Sequence, residues 1–388
     1  MKIENCAGTE VVHTRLAHQP NIQFSILNSQ CRVRLPFHAI LFLLALTVFL
    51  TGCETCRYYS QAMRGQCQMW TGQDSIESLL ENGDTPEPLK HRLRLVLQIR
   101  EFAEKELHLP ANGHYLRYAD LGRRFAVWNV YAAPELSLTP KSWWYPVVGR
   151  LEYRGYFSEE KARRYAAKLS KQGYDVYVGG VTAYSTLGWF RDPVLNTFIH
   201  DSDADLAELL FHELAHQRLF VAGDTDFNEA FATAVAEEGL HRWLGDRGDP
   251  VALKEHGAAD RRTEQFVRIV SRARDKLQAI YEPAVAPASD AGKRQAKQRI
   301  LQELRADYAQ LKASWDGCRD YDLWFQQSLN NAQLNTVDTY HRLVPAFRRL
   351  LREHNGNLKE FYRAVAALGK LKDAERQVRL DRLREGTP

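Results

Sequence analysis

The sequence predicts an α+β fold that is predominantly helical, with a small sheet at about residues 125–185, then a central helix pair and a helical C-terminal half. Apolar residues recur at helical spacing along most of the chain, which indicates amphipathic helices. The central stretch is instead rich in aromatic and β-branched residues between Gly and Pro, which indicates short strands. Of the 388 residues, 45% are hydrophobic and 26% are charged, a composition typical of a folded chain larger than one compact core.

Residues 1–52 are predicted to be a targeting segment that ends at a lipid-attachment site. The apolar run 39–50 is too short for an ordinary membrane span, and it is typical of the core of a signal peptide. It leads into Leu-Thr-Gly-Cys at residues 50–53, which resembles the bacterial lipobox, where cleavage leaves a lipid-modified Cys53 as the new N-terminus. We therefore expect residues 1–31 to be an upstream extension, and the protein to be lipid-anchored in the periplasm, at the outer membrane by resemblance to known lipoproteins. A short anchor helix that stays in the membrane is the alternative.

Two further cysteines, Cys56 and Cys67, follow this site closely. An oxidising periplasm permits a disulfide between them. Free thiols are the alternative, and the sequence leaves both open.

The region before the central helix pair is predicted to be helical at first and then to contain the sheet. Residues 58–110 have apolar residues at helical spacing, with a proline-flanked start at Glu87. Residues 158–173 open with Ser-Glu-Glu and close with Gly, which predicts a helix between strands. Within residues 120–200, the segments predicted as strands are 125–131, 145–153 and 174–178.

The central helix pair, residues 201–245, contains His-Glu-Leu-Ala-His at residues 212–216. An α-helix repeats every 3.6 residues, so His212 and His216 stand one turn apart and direct their imidazoles to one point. Glu213 points about 100° further round the helix, beside a metal-bound water. We therefore expect both histidines to bind zinc and Glu213 to be the general base. Two surface or core histidines without a metal are the alternative.

The second helix of the pair is predicted to supply the third zinc ligand. Two helices joined by so short a connection lie antiparallel and in contact, so Glu229, in the first turn of the second helix, faces the last turns of the first. This gives the His2Glu set of catalytic zinc sites, with one position left for water. Asp226 is the minor alternative, with Asp224 beside it in the connection. A metzincin is excluded, because that class needs Gly and His at positions occupied here by Leu and Ala.

Residues 178–190, directly before the helix pair, combine glycine, aromatic and polar side chains. In zinc peptidases an edge strand beside the metal often binds the substrate backbone by strand addition. An ordinary sheet and turn packed under the helix is the alternative.

The C-terminal half is predicted to be helical. Residues 255–316 form two charged amphipathic stretches separated by prolines, which predicts an antiparallel helical hairpin. C-terminal helices follow at 320–372, and 373–388 is predicted to be a charged tail that frays. A zinc peptidase needs a donor for the oxyanion of its tetrahedral intermediate, and Tyr340 is our candidate, with His341 and Asn331 behind it. A half-buried core tyrosine is the alternative for Tyr340.

Four segments together resemble the bacterial family of predicted aminopeptidases, which are zinc peptidases and often lipoproteins; the segments are 143–157, 183–190, 211–217 and 226–232. The resemblance extends over about residues 58–372. The Asn-Glu start of the second helix is also similar to that of thermolysin-like peptidases. In that clan an aspartate stands one turn after the ligand glutamate, where this chain has Thr233, so we expect Glu237 or Glu238 to orient a histidine ligand instead.

These observations predict a zinc metallopeptidase domain over residues 53–372, with one zinc per chain and a peptide or protein as substrate. Aminopeptidase activity is what the family resemblance implies. The alternatives are a zinc endopeptidase of the cell envelope and a non-catalytic, metal-binding envelope lipoprotein. The net charge is only +4, and no basic block or phosphate-binding loop predicts a nucleic-acid partner.

Overall fold

The computed structural model describes residues 54–145, 149–183, 191–282 and 289–385. Helices dominate the described chain and its sheets have two or three strands each, which confirms the predicted α+β, predominantly helical class. The apolar run 39–50 and Cys53 lie outside the described residues. Among the described helices, none is long and apolar enough to span a membrane. In chain order the elements are α1 (Glu54–Thr71), β1 (Gln73–Ser75), α2 (Ile76–Glu81), α3 (Glu87–Lys105), β2 (Arg117–Ala119), β3 (Val127–Pro134), β4 (Trp143–Tyr145), β5 (Gly149–Leu151), β6 (Tyr153–Tyr156), α4 (Glu159–Lys171), β7 (Tyr174–Val181), β8 (Val194–Leu195), α5 (Asp203–Arg218), α6 (Thr225–Asp246), α7 (Pro250–Tyr281), α8 (Asp290–Ser314), α9 (Asp322–Gln326), α10 (Asn331–His341), α11 (Val344–Glu353), α12 (Leu358–Gly369) and α13 (Asp373–Glu385).

Helix α1 attaches the start of the described chain to the sheet. The Gln61 side chain donates to the Gly155 carbonyl (3.4 Å) and accepts from the Phe157 N–H (3.0 Å). Cys56 and Cys67 lie on this one helix. A rise of about 1.5 Å per residue puts their Cα atoms about 16 Å apart, whereas a disulfide needs less than about 7 Å. The alternative of a Cys56–Cys67 disulfide is therefore wrong, and Cys67 is an exposed free thiol.

The central sheet has the antiparallel order β6-β3-β7. The strands predicted at 125–131 and 174–178 correspond to β3 and β7. The strand predicted at 145–153 is instead divided among β4, β5 and β6. Gly149 has a φ of 76°, in the left-handed region that interrupts a regular strand, which explains why one continuous strand does not form.

The two faces of this sheet have different partners. On the outer face, Trp128 and Val130 join an apolar cluster with Ala162, Ala166 and Leu169, so α4 covers this side. The inner face carries the alternate residues of β3, and α10 packs beside β3 and β7. The predicted helix at 158–173 is thus confirmed as α4, capped by Ser158.

Helices α5 and α6 pack against each other at the centre of the largest apolar cluster, to which α3, α11 and α12 also contribute. A second cluster joins α7, α8, α9 and α10. Packing of α7 against α8 confirms the predicted helical hairpin, although α7 starts earlier, at Pro250, and residues 283–288 between the two helices lie outside the described part.

The charged C-terminus is ordered as a helix. Asp373–Glu385 form α13, which packs against α11. Leu380 is 1% exposed, and Arg376 is 4% exposed. The prediction of a fraying tail from residue 373 is therefore wrong, because an apolar and an ion-paired side chain of this charged segment are buried.

Candidate metal centre

The start of helix α5 is fixed by an N-cap serine and by an arginine of α3. The Ser202 hydroxyl accepts a hydrogen bond from the Asp205 N–H (3.1 Å), the usual role of an N-cap serine. From α3, Arg92 donates to the carbonyls of Ile199 (2.7 Å) and Asp201 (2.6 Å). These contacts fix the start of the helix that carries both histidines.

The side chains of Asn228 on α6 and of Asp224 just before it form hydrogen bonds that fix the connection between α5 and α6. Asn228 accepts from the Val221 N–H and donates to the Val221 carbonyl, both at 2.8 Å. Asp224 caps α6 by accepting from the Phe227 N–H (3.0 Å). Because Asn228 precedes Glu229 directly, this pair of hydrogen bonds also fixes the helix turn that presents Glu229.

His212, His216 and Glu229 meet in the interior between the two helices. The Nε2 atoms of the histidines are 3.2 Å apart. Glu229 Oε2 lies 3.3 Å from His212 Nε2 and 3.8 Å from His216 Nε2. In the part of the chain that the structure describes, this is the one group of three such side chains whose ligand atoms gather closely enough to bind a metal ion.

The spacing and chemistry of these three atoms fit zinc. Ligands at about 2.1 Å in a tetrahedral site are separated from one another by about 3.4 Å, and the observed separations of 3.2, 3.3 and 3.8 Å lie around that value. Glu229 Oε2 is buried and accepts no hydrogen bond from a described residue. A buried carboxylate oxygen in this position is costly without a cation.

Burial determines the charge state of these ligands. It lowers the pKa of His212 to about 4 and lowers the pKa of His216 well below its usual range, the latter with help from His212. Burial, and secondarily the charge of Asp226, raises the pKa of Glu229 well above its usual range. The histidines are therefore neutral at neutral pH, the form that binds zinc.

Glu213 is buried next to the first histidine, with 1% of its surface exposed. Two buried tyrosines lie within electrostatic reach of its carboxylate, because its charge adds to the effect of burial in raising the pKa of Tyr115 and of Tyr153. Glu213 is thus a buried carboxylate that directly follows His212 on α5.

A family profile described as "Putative aminopeptidase" matches residues 57–380. The chain belongs to this aminopeptidase family. The matched region runs from α1 into α13, so it includes the whole candidate metal centre. Comparisons with curated proteins and with solved structures found no match. The resemblance seen in the sequence is confirmed at the level of the family.

Two buried tyrosines of this aminopeptidase family member, Tyr115 and Tyr153, whose pKa values are raised by burial and by the charge of Glu213, were not predicted from the sequence. Tyr153 is on β6 and Tyr115 precedes β2 with a left-handed φ of 56°, a conformation that is costly outside glycine. Neither belongs to a motif with the histidines. Nothing in the sequence marks Tyr115, and Tyr153 is marked only by the aromatic composition of the segment 145–153.

The alternative third ligands have other roles. Asp224 caps α6 and pairs with Arg376 (2.8 Å). Asp226 pairs with Arg342 (3.1 Å). The close group of ligand atoms contains Glu229 and neither aspartate.

The residues expected to orient a histidine ligand are paired elsewhere. Both carboxylate oxygens of Glu237 accept from Arg348 at 2.7 Å, and Glu238 accepts from Arg242 at 2.7 Å. Nδ1 of His216 is buried and makes no hydrogen bond to a described residue. The orientation of His216 therefore depends on packing within α5 and α6.

The three residues predicted as candidate oxyanion donors all lie in α10. Tyr340 and His341 are in α10, but their side chains lie outside the described residues. The Asn331 amide donates to the carbonyls of Pro134 and Glu135 at 3.1 and 3.0 Å and accepts from the Tyr281 hydroxyl at 3.1 Å. Asn331 therefore holds α10 to the end of β3.

The segment 178–190 begins within an edge strand. β7 pairs with β3 on one side and forms the edge of the three-stranded sheet in the described chain. An edge is what strand addition requires. Residues 184–190 lie outside the described part, so substrate binding by this segment stays a prediction.

Proposed function

We propose that this protein is a zinc-dependent aminopeptidase, in which His212, His216 and Glu229 bind one zinc ion. The observation that supports this most directly is the buried set of two imidazole nitrogens and one carboxylate oxygen, with Glu213 beside it on α5. Membership of the aminopeptidase family supports peptide hydrolysis. Zinc bound by such a set acts as a Lewis acid toward a carbonyl and makes its bound water more acidic.

Glu213 supplies the proton transfers of the proposed reaction. Its carboxylate accepts a proton from the water whose oxygen adds to the scissile carbonyl carbon. The same carboxyl then gives that proton to the leaving nitrogen as the C–N bond breaks. One water is consumed, and the products are a carboxylic acid and an amine, which ionise to a carboxylate and an ammonium group at neutral pH.

The test is metal content together with hydrolysis, measured on purified residues 54–388. We expect about one zinc per wild-type chain and none in His216→Ala. Glu213→Gln should keep its zinc and lose at least about a hundredfold in kcat, the scale of general-base catalysis. Failure of the wild type to take up added zinc better than His216→Ala contradicts the metal site. Unchanged activity of Glu213→Gln contradicts the mechanism.

Free and N-acetylated peptides of one sequence test the mode of cleavage. An aminopeptidase binds a free α-amino group, so the acetylated peptides should resist hydrolysis. Cleavage of both forms at internal bonds would replace this proposal with an envelope endopeptidase. Zinc binding without hydrolysis of any peptide in a library would favour the non-catalytic lipoprotein.

We further propose that Cys53 carries a lipid anchor, with the chain in the periplasm at the outer membrane. The support is the apolar run 39–50 and the lipobox-like sequence that ends in Cys53. Metabolic labelling with palmitate should mark the wild type and not Cys53→Ser. Peptide mapping should find no peptide from residues 1–52; recovery of those peptides from the membrane-bound protein contradicts the cleavage.

A further inference from the structure

Helix α1 is packed tightly onto the rest of the protein. A Cβ built on Gly65 would lie 2.1 Å from Cγ of Phe157, so the helix backbone contacts this side chain directly. The Tyr58 ring packs edge-on against Tyr156 of β6, with 5.5 Å between the ring centroids. Together with the two hydrogen bonds of Gln61, these contacts hold α1 as a rigid part of the fold.

The opposite side of α1 is exposed to solvent from residue 57 onward. Its exposed residues recur every three or four positions, which places them on one face of the helix; they are Arg57, Ser60, Met63, Arg64, Cys67, Gln68, Trp70 and Thr71. Two of them are large and apolar, with Met63 50% exposed and Trp70 40% exposed. Two are arginines, and the sequence has no Asp or Glu at residues 55–73. We call this face the α1 stripe.

The composition of the α1 stripe is typical of a helix that lies in a membrane interface. Tryptophan is enriched at the level of the lipid headgroups, because its ring is apolar and its N–H is polar. Apolar side chains on one helix face enter the boundary between headgroups and acyl chains, and basic side chains are attracted to anionic lipid. Exposed apolar side chains are also common on surfaces without a partner. The chain segment that precedes α1 identifies lipid as the occupant here.

The proposed lipid anchor, Cys53, directly precedes the first residue of α1. Lipid chains attached there enter the bilayer next to the first turn of the helix. Because α1 is packed rigidly and starts at the next residue, there is no linker to hold the domain away from the membrane. The domain therefore meets the lipid surface around α1.

Two orientations of α1 are compatible with an anchor at its start. In an upright helix, a rise of about 1.5 Å per residue would hold Met63 about 14 Å and Trp70 about 24 Å from the start of α1, beyond the headgroup layer. In a helix lying flat, both side chains reach the interface. Only the flat orientation removes their exposed apolar surface from water, so it is the more stable one.

We propose that α1 lies flat on the phospholipid surface in which Cys53 is anchored, with the α1 stripe in contact with lipid. The proposal rests on the lipid anchor proposed above and adds the orientation of the domain on the membrane. Met63 and Trp70 enter the interface, and the two arginines of the stripe lie among the headgroups. The covalent lipid and the interfacial helix then act as two membrane-binding signals.

The experiment uses Cys67 as a labelling site, because it is an exposed thiol within the α1 stripe. The full chain with Cys56→Ser and Cys318→Ser is expressed in cells that attach the lipid, and is then reconstituted into vesicles of phosphatidylethanolamine and phosphatidylglycerol. A polarity-sensitive fluorophore on Cys67 should shift its emission to shorter wavelength. Spin-labelled phospholipid in the vesicles should quench it.

The matched control combines Cys67→Ser with Val378→Cys, which moves the label to an exposed position of α13. That label should show neither the shift nor the quenching. Serine at both positions 63 and 70 should reduce the quenching of the Cys67 label, because the apolar contact with lipid is lost. Unchanged quenching in this double variant overturns the proposed apolar contact.

Equal emission and equal quenching of the labels on Cys67 and at position 378 overturn the proposed orientation. A shift at Cys67 that develops without vesicles as the protein concentration rises identifies a second copy as the occupant, and also overturns it. The palmitate labelling proposed above separates these results from a failure of the anchor. Palmitate incorporation with an unquenched Cys67 label contradicts the flat orientation alone, whereas absence of incorporation contradicts the anchor itself.

Discussion

Zinc binding should release one proton from the ligand set. Burial raises the pKa of Glu229 well above its usual range, which favours a protonated carboxyl there in the metal-free site. His212, with its pKa lowered to about 4, is already neutral and releases none. At pH 6, zinc-bound water with a pKa near 7 still keeps its proton. We therefore expect the released proton to come from the Glu229 carboxyl.

Calorimetric zinc titrations at pH 6, in buffers of different ionisation enthalpy, measure this count. The wild type should release about one proton per zinc. Glu229→Gln has no carboxyl to ionise and should release none while binding zinc more weakly. A count near zero or two for the wild type contradicts the proposed charge state.

Asn228 should be needed for metal affinity although it is not a ligand. Replacing it with alanine leaves the buried N–H and carbonyl of Val221 without their partner, a loss of about 2 kcal/mol. The start of α6 then loosens next to Glu229. We expect zinc affinity to fall by about 10- to 100-fold, the scale seen when support for a metal ligand is removed.

The matched control is Asn357→Ala, which removes a side-chain cap from α12. That variant should lose about 1 kcal/mol of stability and keep its zinc affinity. Competition with a chromophoric chelator measures both affinities. Equal zinc affinity of the wild type and Asn228→Ala contradicts the role of Asn228.

The residues of the site were predictable where helical spacing alone brings them together. His212, Glu213 and His216 are within two turns of one helix, and Glu229 follows after a short connection. The pairing of Tyr153 on β6 with Tyr131 on β3 was not predictable, because no local spacing relates the two strands.

At the scale of elements, Gly239 allows α5 and α6 to approach closely. A Cβ built on Gly239 would lie 2.7 Å from Leu107 Cδ1 and 2.9 Å from Phe211 Cδ2, both in the core. Overpacking of a core costs about 1 to 3 kcal/mol, which exceeds the gain in helix propensity of about 1 kcal/mol. Gly239→Ala should therefore lower Tm by a few degrees.

Gly245 of the same helix offers a control, because a Cβ there meets nothing within 4 Å. Gly245→Ala should leave Tm unchanged or raise it slightly through helix propensity. Thermal unfolding followed by circular dichroism measures both. A Gly239→Ala protein as stable as Gly245→Ala contradicts the close approach.

The helices were more predictable than the strands. Caps such as Ser158 and Ser202 mark helix starts in the sequence and are found at those starts in the structure. The short strands β1, β2 and β8 have two or three residues each. This is too few for the alternation of apolar and polar residues that predicts a strand. Their pairing depends on contacts between distant segments.

At the scale of the whole molecule, the C-terminal helix contacts the element that presents Glu229. Arg376 donates to Asp224 (2.8 Å), the cap of α6, and to the Leu371 carbonyl (2.8 Å). Its guanidinium also lies 5.6 Å from the centre of the Phe227 ring. The local sequence of this charged segment predicts a solvated tail. Asp224 and Phe227, which contact Arg376 in the structure, are remote from it in sequence.

The two faces of α13 should therefore respond differently to truncation of a side chain. Leu380 is 1% exposed and Val378 is 51% exposed. Removing a buried leucine side chain costs about 2 to 5 kcal/mol, whereas a surface substitution costs within about 0.5 kcal/mol. Leu380→Ala should lower the denaturation midpoint in urea clearly, and Val378→Ala should not. If residues 373–385 frayed in solution, both variants would match the wild type, so equal midpoints would contradict the docking of α13 onto the domain.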